Sequence, residues 1–195
     1  VLNKLGFSII VVHGGGPRIK RELDKKKIVS KFINGLRVTD KNIINTVEEG
    51  LIDFNKDIVS SLKKLGSEAA SFHTKTENVI EVEPERKELG FVGIPGNIND
   101  NLIQKALNEN KIPIIAPLGL GKNNQTYNIN GDTAAMAIAK SLKARRLLLM
   151  TNVDGVLNKE KELIDEISSS EILEMIKDET ITEGMIPKIN ACLDA

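Results

Sequence analysis

Between Asp40 and Leu65 the apolar positions recur on a helical period. Ile43, Ile44, Val47, Leu51, Phe54, Ile58 and Leu62 fall on one face, and polar residues fill the other. Lys63 and Lys64 load the last turn and Gly66 follows, a combination that ends helices. Shorter helical patterns cover Arg18–Lys27, Asn99–Asn108, Thr133–Ser141 and Ser169–Lys177, and Pro187 suits the first position of a final helix. Short β-branched or apolar runs lie between them: Ser8–Val12, Val79–Val82, Ile112–Ala116 and Leu147–Thr151 read as strands. The alternation is that of an α/β fold. Strands joined through helices must run parallel, and such sheets bind ligands outside the strands' carboxyl ends. The charged stretch Glu81–Leu89 reads as a surface connection.

A chain of 195 residues is one domain of ordinary size, long enough for a core of its own. Its 27 basic and 27 acidic residues cancel. This argues against a nucleic-acid or membrane-surface binder that works by bulk charge. Lys25-Lys26-Lys27 reads as a solvated helix end. The single cysteine, Cys192, excludes an internal disulfide, fits a reducing compartment and is expected to be buried as a small hydrophobe. His13 and His73 have no metal-ligand spacing. No apolar run approaches a membrane span, and no signal peptide is visible. Because the chain starts at Val1 and stops at Ala195 within a helical pattern, it reads as a fragment.

Five stretches carry candidate chemistry. His13-Gly14-Gly15-Gly16-Pro17 joins a strand to a helix, and its amides could cradle an anion at the helix N-terminus, or simply make a tight turn. It meets neither the dinucleotide G-x-G-x-x-G fingerprint nor the P-loop pattern. Arg37, in Gly35–Asp40, has a planar fork suited to a carboxylate, unless it is a solvated surface residue. Thr39 or Asp40 can cap the long helix. In Tyr127–Ala135, Asp132 is either an N-cap or a carboxylate that orients cations around a phosphate. Asp154-Gly155, after the most apolar strand, marks either a plain hairpin or a nucleotide-pocket wall. Lys188 in a first helical turn opposes the helix dipole, a conflict that a shared anion would remove; a snorkelling surface lysine is the alternative.

Taken in order, HGGGP, NGLRVTD, YNINGDTAA, TNVDGV and GMIPKINACLDA resemble the amino-acid kinase family, and within it the members acting on N-acetyl-L-glutamate. The resemblance spans nearly the whole chain. It implies a three-layer α/β/α sandwich with an open, mainly parallel sheet, forming a single domain over residues 1–195. The substrate-binding half would be about 1–120 and the nucleotide-binding half about 121–195. It also implies phosphorylation of the side-chain carboxylate of N-acetyl-L-glutamate by ATP and Mg2+, the second step of arginine biosynthesis. The protein would be cytoplasmic and a homodimer or larger homo-oligomer. By the same resemblance Gly15 and Gly16 offer amides to the substrate and the moving phosphoryl group, and Arg37 and Asn128 bind the substrate. Asp132 organises the catalytic lysines and Lys188 stabilises the transition state. Asn152, Val153, Asp154, Gly155, Val156, Leu157, Thr180, Ile181 and Thr182 line the ATP site.

The chain departs from the family pattern in places. It has no K-x-G-G strand ahead of the glycine loop and lacks the usual C-terminal strands. Gly131 stands where Ala is common, Asn152 where Asp is, and Glu183 where Gly or Asp is; the segment after Gly93 is short. Two other readings stay open: a relative acting on another carboxylate, such as carrier-linked aminoadipate, and a non-catalytic homologue that binds arginine or a partner.

Overall fold

The computed structural model describes residues 3–150, 154–181 and 185–194. Its elements run β1 (Val11–Val12), α1 (Gly16–Lys25), β2 (Phe32–Ile33), β3 (Leu36–Arg37), α2 (Ile44–Lys64), β4 (Ala69–Phe72), β5 (Ile80–Pro84) and β6 (Gly93–Ile98). Then follow α3 (Asp100–Asn108), β7 (Ile112–Ile115), β8 (Leu118–Leu120), β9 (Thr126–Asn128), α4 (Gly131–Ser141), α5 (Ser169–Lys177) and α6 (Ile186–Asp194). The chain divides into two compact units, residues 1–134 and 135–195.

In the first unit a parallel sheet has the order β1-β7-β4, with Val11 opposite Ile114 and Phe72 opposite Ile115. The α/β class with a parallel sheet is borne out. A second sheet, ordered β6-β5-β8-β9, adds antiparallel pairings at both flanks of the parallel β5–β8 contact, and β2 and β3 form a separate hairpin. The long helix α2 organises this unit. Val47, Leu51 and Ile52 pack with Ile19 and Leu23 of α1 and with Ala116 and Leu118, while Ile58, Val59 and Leu62 cover Ala69, Ile112 and Ile114. Each large aliphatic side chain buried this way contributes about 1.5–3 kcal/mol.

Both ends of α2 follow local rules. The Asp40 carboxylate accepts the Asn42 and Ile43 amides and so caps the turn that leads into the helix. At the other end Gly66 takes φ +75°. The Gly66 amide reaches the Lys63 carbonyl and the Ser67 amide the Leu62 carbonyl, closing a Schellman motif.

Several expectations are corrected. The apolar run Leu147–Met150 forms no strand, and Leu148 and Met150 are largely exposed. Thr151 lies outside the described residues. Glu81–Pro84 belongs to β5, so only the remainder of Glu81–Leu89 is a connection. Lys26 is not simply solvated, because its ammonium donates to the Thr46 hydroxyl at 2.8 Å. Cys192 is exposed on α6, not buried. In the second unit the chain does reverse, but beyond Asp154-Gly155. Leu157 bridges Leu163, and the Asn158 amide reaches the Glu162 carbonyl at 2.9 Å. This unit's core gathers Ile172 of α5 and Ile189 of α6 with Ile181.

Candidate active site

At the carboxyl ends of β1 and β7 lies a cleft of about 190 Å³. Gly14–Gly16 form one side and Asn128–Gly131 another; Pro117, Val92, Phe32 and Arg37 complete it. It sits where parallel α/β sheets bind ligands, because chain leaving the strand ends is free of ladder pairing there.

The glycines of the loop have separate reasons to be glycine. A Cβ at Gly15 would collide with Leu51 Cδ2, so this position is bare to let α2 approach. A Cβ at Gly14 or Gly16 would meet nothing within 4 Å, and both positions border the cleft. Gly15 is the N-cap of α1 and offers no side chain to its first amides. The start of a helix leaves its first backbone N–H groups without intrahelical acceptors, and here that start borders the cleft, an arrangement that favours an anion. Gly131, at the start of α4, comes close as well. A Cβ there would stand 3.7 Å from the His13 carbonyl, an ordinary contact, so alanine would fit equally well.

Arg37 is 9% exposed, which rules out a solvated surface arginine. Its guanidinium donates to the Ser30 hydroxyl and to the Gly16 carbonyl at 3.4 Å, and lies 4.7 Å above the Phe32 ring centroid. Among the described residues no carboxylate pairs with it. Burial lowers its pKa, the mark of a cation taken out of water without a counter-ion. Asn128 joins the same cleft. Its amide donates to the Thr39 hydroxyl at 3.3 Å and its backbone N–H to the Phe91 carbonyl. The close Thr39–Gly90 approach behind it needs glycine: Gly90 has φ +69°, and a Cβ would fall 2.5 Å from the Thr39 carbonyl oxygen.

Asn130, not Asp132, caps α4. The Asn130 side-chain oxygen accepts the Asp132 and Thr133 amides at 2.9 and 3.0 Å. Asp132, half-buried in the first turn, is thus not required as a cap. Reading the sequence missed Asn130, Ser30 and Phe32. Only Asn130 left a signal, being an Asn three residues before a Thr at a helix start.

Gly15, Gly16, Arg37 and Asn128 thus line one cleft. Lys188 is half-buried in the first turn of α6. Of the proposed nucleotide residues, Asn152, Val153 and Thr182 lie outside the described residues. Asp154 and Leu157 are exposed, while Gly155 and Val156 are half-buried. The Thr180 amide and hydroxyl donate to Asp178, whose pKa is lowered to about 2, first by the hydrogen bond from Lys159 and then by those from Thr180. The Ile181 side chain is enclosed in the unit's core, which leaves only its backbone for a ligand.

Known proteins resemble this chain over its whole length. The family model described as the amino acid kinase family matches residues 1–195. The chain belongs to the amino acid kinase family. Among the family's curated members it is 55% identical to the acetylglutamate kinase of Pelagibacter ubique, over all of this chain and 67% of that protein. It is 45% identical to the acetylglutamate kinase of Ruegeria pomeroyi, again over the whole chain and 68% of the relative. The chain thus spans about two thirds of the length of these relatives. A crystal structure of a Streptococcus mutans protein superposes with TM-score 0.91 at 34% identity, covering 98% of this chain and 79% of that one.

The two histidines yield a pH prediction. Burial is the main cause lowering the His13 pKa; the Gly14 carbonyl opposes it and His73 adds to it. Burial also leads at His73, followed by Lys56, with Glu48 opposing and Lys75 adding. Folding thus disfavours protonation of both rings, while the unfolded chain binds protons from about pH 6.5 downward. The unfolded state therefore holds more protons below that pH, and stability falls as the pH drops through this window. Urea midpoints should decline from pH 7 to pH 5. A flat profile there would contradict lowered pKa values at the two buried imidazoles.

Proposed function

We propose that this protein transfers a phosphoryl group from ATP, with Mg2+, to the side-chain carboxylate of N-acetyl-L-glutamate. The products are N-acetyl-L-glutamyl 5-phosphate and ADP, in the second step of arginine biosynthesis. The acetylglutamate kinases among its relatives support the reaction, and Arg37 is the observation that carries the acceptor. It is a buried cation at the cleft wall with no carboxylate of its own among the described residues, held in place by Ser30, Gly16 and Phe32. A substrate carboxylate would offset its desolvation through two charge-assisted hydrogen bonds.

Phosphoryl transfer asks little covalent help of a protein beyond alignment and compensation of charge. Arg37 and Asn128 orient the acceptor, converting a bimolecular encounter into an aligned one. The Gly15 and Gly16 amides, at the start of α1 beside the cleft, receive charge developing on the phosphoryl oxygens. Lys188 adds a positive charge and Asp132 orders the cationic groups. Asn152–Leu157 and Thr180–Thr182 hold the nucleotide. Mg2+, when bound, neutralises phosphate charge. Among the described helices none is long and apolar enough to cross a membrane. By family resemblance we place the protein in the cytoplasm, as a homodimer or larger homo-oligomer.

Hydroxylamine trapping of the acyl phosphate tests the reaction on the full-length gene product, with aminoadipate derivatives as competing acceptors. Turnover with N-acetyl-L-glutamate supports it. Binding of ATP or arginine without turnover on any acceptor overturns it.

The loop glycines give a paired prediction. Gly15→Ala drives a methyl group into Leu51, itself 1% exposed, and should cost about 1–3 kcal/mol of stability. Gly16→Ala meets open space and should leave the urea midpoint unchanged or slightly raised, yet lower turnover by crowding the cleft. Equal loss of stability in both variants would contradict this division.

A further inference from the structure

Behind the glycine loop runs a buried chain of hydrogen bonds that starts on α2. Asn55 is 0% exposed. One of its amide hydrogens goes to the Ile114 carbonyl at 2.9 Å and the other to His13 Nε2 at 3.2 Å; its oxygen accepts the Ser71 hydroxyl at 2.5 Å. The Ile114 carbonyl can only accept, so the Asn55 amide nitrogen must face it, and the orientation of Asn55 follows. His13 Nε2 therefore receives a hydrogen and carries none. The ring's one hydrogen sits on Nδ1, which donates to the Gly14 carbonyl at 2.7 Å. Phe54 packs against the ring edge-on, with centroids 5.2 Å apart.

The chain contains no cis peptide bond among its described residues, and in a planar trans peptide the C=O of one residue and the N–H of the next point opposite ways. We propose that His13 and Asn55 are positioning residues for phosphoryl transfer: by holding the Gly14 carbonyl toward the interior, they turn the Gly15 N–H into the cleft. His13 acts on the peptide directly, and Asn55 acts by fixing the His13 tautomer. The identity of the anion met by that N–H rests on the kinase reading, whereas the orientation of the peptide does not. Simple filling of the core does not require this pattern, since an apolar pair of similar volume would fill the same space without the cost of burying polar groups.

Two replacements of His13 separate the roles. His13→Asn keeps an N–H near the position of Nδ1 and loses the contact to Asn55, whereas His13→Gln keeps a polar group toward Asn55 and has nothing at Nδ1. In the full-length gene product, His13→Gln should lower kcat by about 10²-fold, with KM for N-acetyl-L-glutamate within a few-fold. His13→Asn should recover most of that loss. Nitrogen-15 NMR of the wild-type protein at pH 7.5 should find Nδ1 protonated and Nε2 bare. Added inorganic phosphate should move the Gly15 amide resonance in the wild type and in His13→Asn, but not in His13→Gln. Equal kcat in the two variants of an active enzyme would overturn the proposal. If the wild type proves inactive, the kinase reading falls, and the NMR still decides: a bare Nδ1, or a Gly15 amide equally responsive in His13→Gln, overturns the positioning role.

Discussion

Replacing Lys188 by Ala in the full-length gene product is expected to lower kcat by about 10²–10³-fold, the usual cost of removing one group that stabilises transition-state charge. Lys188 lies in the first turn of α6, a helix that starts at Ile186 and contributes Ile189 to the core of residues 135–195. A cation there works against the helix dipole by about 0.3–1 kcal/mol, so its position is not explained by helix stability. Because the proposal assigns the acceptor to Arg37 and Asn128, KM for N-acetyl-L-glutamate should move only a few-fold. A thermal melt beside the kinetics separates lost chemistry from lost structure. Lys188→Arg keeps the charge but not the compact ammonium, and should recover part of the rate. If Lys188→Ala keeps wild-type kcat, Lys188 has no place in the transition state.

Arg37→Ala is expected to raise KM for N-acetyl-L-glutamate by about 10–100-fold, from the loss of charge-assisted hydrogen bonds worth about 1.5–3 kcal/mol. KM for ATP should stay nearly constant. Arg37→Lys should fall between wild type and Arg37→Ala. An ammonium cannot donate to Ser30 and Gly16, lie flat on Phe32 and still grip a carboxylate at two points. The variants should remain folded, because removing Arg37 leaves no carboxylate of the described residues without its partner. Equal rises in both KM values would point to a collapsed cleft instead of a lost acceptor contact.

The helices were legible where their signals are local. In α5 the expected and observed spans coincide at Ser169–Lys177. Ser168 and Glu171 form a capping box there, complete within four residues of chain. In α2 the apolar period, the Asp40 cap and the Gly66 terminator all point to the same helix. Strands were legible where they are β-branched, as in Val11–Val12 and Ile112–Ile115. β4 reads Ala-Ala-Ser-Phe and β9 Thr-Tyr-Asn, with no run of β-branched residues; they are strands because β7 and β8 lie beside them. Leu147–Met150 is the converse case, an apolar run with no ladder partner among the described residues.

The candidate site divides along the same line. The sequence alone determined that a bare loop leads from a strand into α1, that Arg37 precedes the long helix and that α4 starts amid polar residues. Each of these is a property of neighbouring residues. Only the tertiary structure decided that Gly15 is bare for Leu51 while Gly14 and Gly16 are bare toward the cleft. It alone showed that Arg37 is buried with no carboxylate partner among the described residues, and that Asn55 reaches His13 across 42 positions of chain. Burial and long-range hydrogen bonds depend on which segments the core brings together, and no local pattern of side chains carries that information.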